Sequence, residues 1–281
     1  MQLRSPGTRL YQIFDFHNLT YIFHYHTLLT GYDKLKPYGF PIHGAIDGYS
    51  RKILWLEVSK SNNNPDSIAA MYLDCVHEVE ACPVLLRTDC GTENGTMASM
   101  QAYFRQNEGD TFSGENSHRY GTSPSNQRIE CWWSFLRRGR SSWWIDLFKS
   151  LVSNGEVDLG DELHRECLWF CYHRLIQEDL DHVKQHWNTH RIRPSRHGTV
   201  PGIPDVLYFL PQQQGVNDCK VPVKKCQLLE MENHLEADLE EELNIYQEYF
   251  HYIIDNENLP NPKDTDDAFR LFKKLISIAN P

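Results

Sequence analysis

The sequence predicts an α/β domain, a mixed sheet flanked by helices and followed by a helical C-terminal extension. Three observations carry that expectation. Largely apolar runs at 40–46, 53–58 and 84–87 are bounded by turn residues. Between and after them, apolar residues recur at helical spacing. The resulting order is strand, strand, strand, helix, strand, helix and a later helix, an α/β order that several folds share.

In chain order, residues 30–32 read as the end of a first strand before the turn Lys36-Pro37-Tyr38-Gly39. Strands at 40–46 and 53–58 flank a turn at 48–52. Asn64 and Pro65 supply a cap and a first-turn proline, and Ile68, Met71, Tyr72 and Cys75 then fall on one helical face. The short strand at 84–87 ends at Thr88-Asp89. A helix over about 97–104 is expected with Thr96 as its cap, and after a Gly- and Ser-rich loop Ser125 caps a helix through about Arg138. Residues 163–187 predict one or two helices, a Pro/Arg-rich segment runs to Pro211, and 228–254 predict one acidic amphipathic helix. The expected division is a divergent segment 1–29 without readable pattern, a core 30–210 and an acidic, largely helical extension 211–281.

Composition allows this. With 40% hydrophobic and 12% aromatic residues among 281, a sizeable core is affordable and wholesale disorder is excluded. The net charge of −10 is uneven: from Leu229 onward there are 13 acidic residues against 4 basic, so the rest of the chain is nearly neutral. A neutral body can present a basic, DNA-facing surface, and the acidic tail reads as a solvated helix or a protein-partner segment. The eight cysteines form no CxxC pair. No signal-peptide pattern is present, and the apolar stretch at 19–29 is short and carries His24 and His26. An intracellular chain with reduced thiols and no membrane span is expected.

Two acids stand out. Asp89 falls at the C-terminal end of a buried strand before a glycine turn, where open α/β sheets expose functional groups, although a lone Asp-x-Gly commonly just caps a turn. Glu130 sits at the edge of an apolar helix face formed by Ile129, Trp132, Trp133 and Leu136, where an acid usually turns outward or pairs with a base. Phosphodiester chemistry gives such acids a use, because divalent ions roughly 3.5–4 Å apart activate the nucleophile and stabilise the leaving oxygen. Mg²⁺ takes hard oxygen ligands from a few carboxylates on rigid elements.

Four motifs then occur in order. Ile46-Asp47-Gly48-Tyr49-Ser50-Arg51 resembles a D-x-x-S-R strand end, and Thr88-Asp89-Cys90-Gly91-Thr92-Glu93 resembles a strand end carrying a second acid. Ser123-Pro124-Ser125-Asn126-Gln127-Arg128-Ile129-Glu130 resembles the approach to a third acid, and Trp187-Asn188-Thr189-His190-Arg191-Ile192-Arg193-Pro194 resembles a closing W-N-x-x-R-P segment. Together they resemble the integrase core of DDE-type integrases and transposases, closer to integrase-core proteins of animal and fungal genomes than to viral enzymes, over about 30–211. The resemblance implies an RNase H-like fold, DNA as partner and a nuclear site of action. It also implies Mg²⁺ or Mn²⁺ as cofactor, strand transfer as activity, and a homo-oligomer. It makes Asp89 and Glu130 the catalytic metal ligands. DNA-binding roles fall to Asn126, Arg137, Arg138 and Arg140, with a solvated helix end complementing the dipole as the competing reading of the arginines.

The first acid is missing. The family's position falls just before Gly31-Tyr32-Asp33-Lys34, where this chain has Thr30, a poor substitute for a carboxylate. Asp33 is three residues on and faces the other way in a regular strand, and Asp47 ends the second strand where it serves the turn; both are third-ligand candidates of low rank. Either the chain is a degenerate relative, or segment 1–29 is foreign to an intact body. The function expected is therefore a DNA strand-transfer core whose activity Thr30, at the first acid position, puts in question; the alternative is a domesticated, non-catalytic nucleic-acid or protein binding module. An α/β hydrolase lacks its Ser/Cys–His signature here.

Other clusters have plainer readings. His190, Arg191, Arg193, Arg196 and His197 read as a clasp whose arginines pair with core acids, against a phosphate-binding alternative. His164, Cys167, Cys171 and His173 read as core residues rather than a zinc site. His17, His24 and His26 lack the paired cysteines of a zinc-binding N-terminal domain.

Overall fold

A computed structural model of the chain describes residues 26–121, 127–194, 200–238 and 244–280. Its strands are β1 (His26–Tyr32), β2 (Ile42–Asp47), β3 (Ile53–Val58), β4 (Ala81–Cys82), β5 (Leu85–Thr88), β6 (His118–Tyr120) and β7 (Val221–Pro222). The helices are α1 (Pro65–Val79), α2 (Gly95–Phe104), α3 (Gln127–Leu136), α4 (Ser142–Ser153), α5 (Glu162–Thr189), α6 (Pro204–Phe209), α7 (Lys225–Asp238), α8 (Ile245–Glu257) and α9 (Thr265–Ala279). Five strands form one mixed sheet in the order β3-β2-β1-β5-β6, and β4 pairs with β7 beside it. The first three strands are an antiparallel meander, while β5 runs parallel to β1 and β6 parallel to β5.

Alternation along the strands divides the core in two. Leu28 and Tyr32 of β1 and Ile42 and Ile46 of β2 face a cluster covered by α3, α4, α5, α8 and α9. Leu29 and Ala45 face the opposite cluster, covered by α1, α2 and α7. The β2–β3 register shifts between Ala45 and Ile46, so Leu54 has no partner and β3 gains twist there.

Helix α1 starts as its sequence predicts: the Asn64 side chain accepts from Asp66 N at 2.9 Å and Ser67 N at 3.3 Å, with Pro65 in the first turn. Helix α2 begins earlier than expected, at Gly95, because a 3₁₀ turn at Thr92–Asn94 leads straight into it. Thr96 does not cap it; its hydroxyl donates to Asp66 at 3.2 Å. The region expected as one or two helices is the single helix α5, capped by Asp161, which accepts from Leu163 N at 2.8 Å. The Ser125 cap lies outside the described residues.

Two larger corrections concern helices. The one carrying Glu130 does not stop near Arg138: a π-helical turn at Arg137–Ser141 joins α3 to α4, with Leu136 and Ser142 both in helical conformation. The acidic stretch 228–254 is not one helix, because Asn244 caps a new one, its side chain accepting from Gln247 N at 3.1 Å. Nor is that extension merely solvated. Leu228 and Leu235 of α7 join one core, and Phe250, Ile253, Leu271, Phe272 and Leu275 of α8 and α9 join the other.

Candidate active site

The register places Thr30 and Asp89 together. Leu28 of β1 pairs with Arg87 of parallel β5, so two residues on Thr30 lies across from Asp89, just past the end of β5. Thr30 Oγ1 donates to Asp89 Oδ2 at 3.5 Å, a weak bond from a buried hydroxyl to a half-buried carboxylate. Asn94, itself buried, donates to the other carboxylate oxygen at 3.0 Å. Thus the loop after β5 folds back to orient Asp89, a role for Asn94 that sequence reasoning missed. Its signal is an Asn five residues after the Asp, beyond a glycine turn.

Thr30 shares its face of β1 with Leu28 and Tyr32, the face against which α3 packs. Ile129, Trp132, Trp133 and Leu136 are buried there, and each such side chain stabilises by about 1.5–3 kcal/mol. A Cβ on Gly44 of β2 would come within 2.8 Å of Trp133, so this glycine permits the close approach of helix to sheet. That apolar contact outweighs the water-screened repulsion it imposes between Glu130 and Asp89. Partial burial and then the negative Asp89 push the Glu130 carboxyl above its ordinary value.

Asp47 belongs elsewhere. It pairs with Thr27 in register, on the opposite face of the sheet from Thr30. One of its carboxylate oxygens accepts from Ser50 Oγ at 2.6 Å, Ser50 N at 2.7 Å and Tyr49 N at 3.2 Å. Burial raises the Asp47 carboxyl, against the lowering effect of these bonds and of Arg128. Asp33 lies past the end of β1, exposed on the side that Gly31 faces, where Asn62 donates to it at 3.2 Å and Lys36 approaches to 3.6 Å. Neither acid joins Asp89 and Glu130.

Arg137, Arg138 and Arg140 are exposed along the π-helical turn. The turn is tied to β1 through Tyr32 and Ser141, whose hydroxyls lie 2.7 Å apart. Arg140 lies 3.4 Å from Asp179, whereas Arg137 and Arg138 make no ion pair with a described residue. The reading of these arginines as a helix end falls, because the helix continues to Ser153. Asn126 lies outside the described residues.

The closing motif clasps the sheet, but not by the expected arginines. Trp187 Nε1 donates to the carbonyl of Arg51 at 2.7 Å, fixing a residue whose φ of 63° is left-handed. Asn188 accepts from Ile53 N at 2.8 Å and donates to Ile53 O at 2.9 Å. Arg51 donates to Val200 O, and Lys52 pairs with Asp205, so the acid is on the strap and the base on the core. Arg191 and Arg193 are exposed without an ion pair to a described residue, and Arg196 and His197 lie outside the described residues. Cys167 and Cys171 are buried in the α5 core, His164 accepts from Asp158 N at 3.1 Å, and His173 stacks on Trp169.

The donor set at the sheet end is thus two carboxylates and one neutral hydroxyl, and no group of three His, Cys, Asp or Glu side chains able to hold a metal occurs among the described residues. Asp89 and Glu130 are hard oxygen donors suited to Mg²⁺ or Mn²⁺.

A five-stranded mixed sheet flanked by helices, with an acid just past the end of an inner strand and a second acid on the covering helix near enough to be raised by it, has the architecture of an RNase H-like core. The family model described as integrase core domain matches residues 22–209, and the chain belongs to that family. Its function is accordingly of the integrase/transposase type, a class of domain that generally binds DNA and uses divalent metals. No curated protein matches the chain. No helix among the described residues is long and apolar enough to cross a membrane.

Proposed function

We propose that this chain is a DNA-binding integrase-type core in which Asp89 and Glu130 hold one Mg²⁺ or Mn²⁺ and Thr30 stands in place of the first acid, leaving strand transfer severely curtailed. The supporting observation is the 3.5 Å approach of the Thr30 hydroxyl to Asp89, on the face that α3 brings Glu130 to. Bound metal would supply an activated water or 3′-hydroxyl and stabilise the leaving oxygen. The chain's own part is to orient Asp89 through Asn94, to bring up Glu130 on α3, and to grip phosphates with Arg137, Arg138 and Arg140. A hydroxyl at Thr30 adds no charge to that ligand set. The chain therefore binds DNA and turns it over poorly.

The test is Mn²⁺-dependent nicking of labelled duplex DNA by this chain, by Thr30→Asp, and by Thr30→Asp combined with Asp89→Asn. The expected result is DNA binding by all three and nicking by Thr30→Asp alone. Vigorous nicking by the unaltered chain, or nicking by Thr30→Asp that survives the added Asp89→Asn, would refute the assignment. Binding without nicking in every variant would establish the non-catalytic binding module instead.

A further inference from the structure

The continuous helix through α3, the π-helical turn and α4 carries a tryptophan, Trp143, three residues beyond the last of its exposed arginines. Trp143 is 54% exposed, although an indole is among the side chains that gain most from burial. Its ring is not loose. It meets Trp144 edge-on with centroids 5.0 Å apart, and Trp144 Nε1 donates to Asp179 Oδ2 at 3.0 Å. The other oxygen of Asp179 lies 3.4 Å from Arg140, so one carboxylate of α5 holds both this guanidinium and the buried indole of Trp144, against whose ring Trp143 rests. Arg140 and Trp143 are three residues apart and neighbours on the helix surface. Arg137 and Arg138 lie between this pair and Glu130, exposed and without an ion pair to a described residue. From Glu130 to Trp143 the helix advances roughly 20 Å, about six nucleotide steps of one strand.

We propose that Trp143 is a stacking platform for an unpaired nucleobase, on a DNA strand whose phosphates lie along Arg137, Arg138 and Arg140. This rests on the DNA-binding reading above and narrows its ligand to DNA with a single-stranded end. The arginines hold phosphates without regard to sequence, and an indole face accepts any base. A blunt duplex keeps its bases stacked inside and offers the ring nothing; an overhang offers a free base. The three exposed arginines around this turn favour a polyanionic strand over a neutral protein surface.

The full chain and Trp143→Ala are compared by fluorescence anisotropy on a duplex with a six-nucleotide 3′ overhang, the same duplex blunt, and the overhang with abasic sites. Trp143→Ala is expected to weaken overhang binding about tenfold, within the range of base–aromatic stacking, and to leave blunt binding within about twofold. Trp143→Phe restores most of the loss, and the abasic overhang costs the unaltered chain what Trp143→Ala costs on the normal one. Equal loss on both DNAs, or no loss, overturns the platform while the DNA-binding reading stands. A change of oligomeric state in Trp143→Ala overturns it too, by assigning the ring to a contact between copies. Failure of the unaltered chain to bind any of the DNAs defeats the DNA-binding reading itself.

Discussion

His43 shows how much of this chain's pH response is written in single buried side chains. It lies in β2, fully enclosed, and its Nδ1 accepts from Trp55 Nε1 at 3.0 Å. Burial pulls its pKa down to about 4 from an ordinary 6.5. The unfolded chain therefore takes up a proton below pH 6.5 that the folded protein refuses until about pH 4. Nothing is lost above pH 6.5; between those limits stability falls, by an amount approaching roughly 3 kcal/mol at the acid end. Thermal melts from pH 7 to pH 4 should show this decline, and His43→Gln should flatten it. An unchanged slope in that variant would assign the acid limb to other groups. At the same scale, Asp47 and Thr30 show why motif position alone misleads. Asp47 is the more acidic-looking candidate, yet strand alternation turns it to the face away from Glu130.

At the scale of elements, the exposed edge of the sheet is covered by a helix that imitates a strand. Asn188 pairs with both backbone groups of Ile53, and Gln177, three turns earlier on α5, accepts from Val58 N and donates to Leu56 O, both at 3.0 Å. Two amides on one helix face thus satisfy the outward groups of edge strand β3, which would otherwise be buried and unpaired. Asn188→Ala leaves two buried groups without partners and is expected to cost about 2–5 kcal/mol of stability by denaturant titration. Gln177→Ala, at a wetter position, should cost less. A loss at Asn188 no larger than at Gln177 would mean that water replaces the amide. The Trp-Asn motif was legible as a domain-closing segment, but its partners were not, since a contact 135 residues away leaves no periodicity to read. The extent of the Glu130 helix was hidden for a related reason. Gly139 and the arginine run look like a stop, and only the π-helical turn carries the chain through them.

For the molecule as a whole, the longer strands were legible because each one's pattern is local: β2 and β3 fall close to where their turn residues and apolar runs place them, whereas β4, β6 and β7, two or three residues each, are too short to carry a pattern. The course of the extension was not. Its acids announce a solvated surface, while the few apolar residues that dock α7 on one core and α8 and α9 on the other are visible only once those cores exist. The candidate site arises from the same global geometry. β1 and the loop after β5 bring Thr30 to Asp89, and α3 brings Glu130 near enough for Asp89 to raise its carboxyl, relations that the local sequence, which named the two acids, does not contain. As proposed above, these residues make a metal site short of one carboxylate. Melting temperature against Mn²⁺ concentration, for the unaltered chain and Thr30→Asp, addresses it without relying on turnover. Thr30→Asp is expected to be the less stable protein without metal, because another carboxylate is forced beside Asp89, and Mn²⁺ is expected to stabilise it with at least about tenfold higher affinity than the unaltered chain. Equal responses to Mn²⁺ in the two proteins would contradict it.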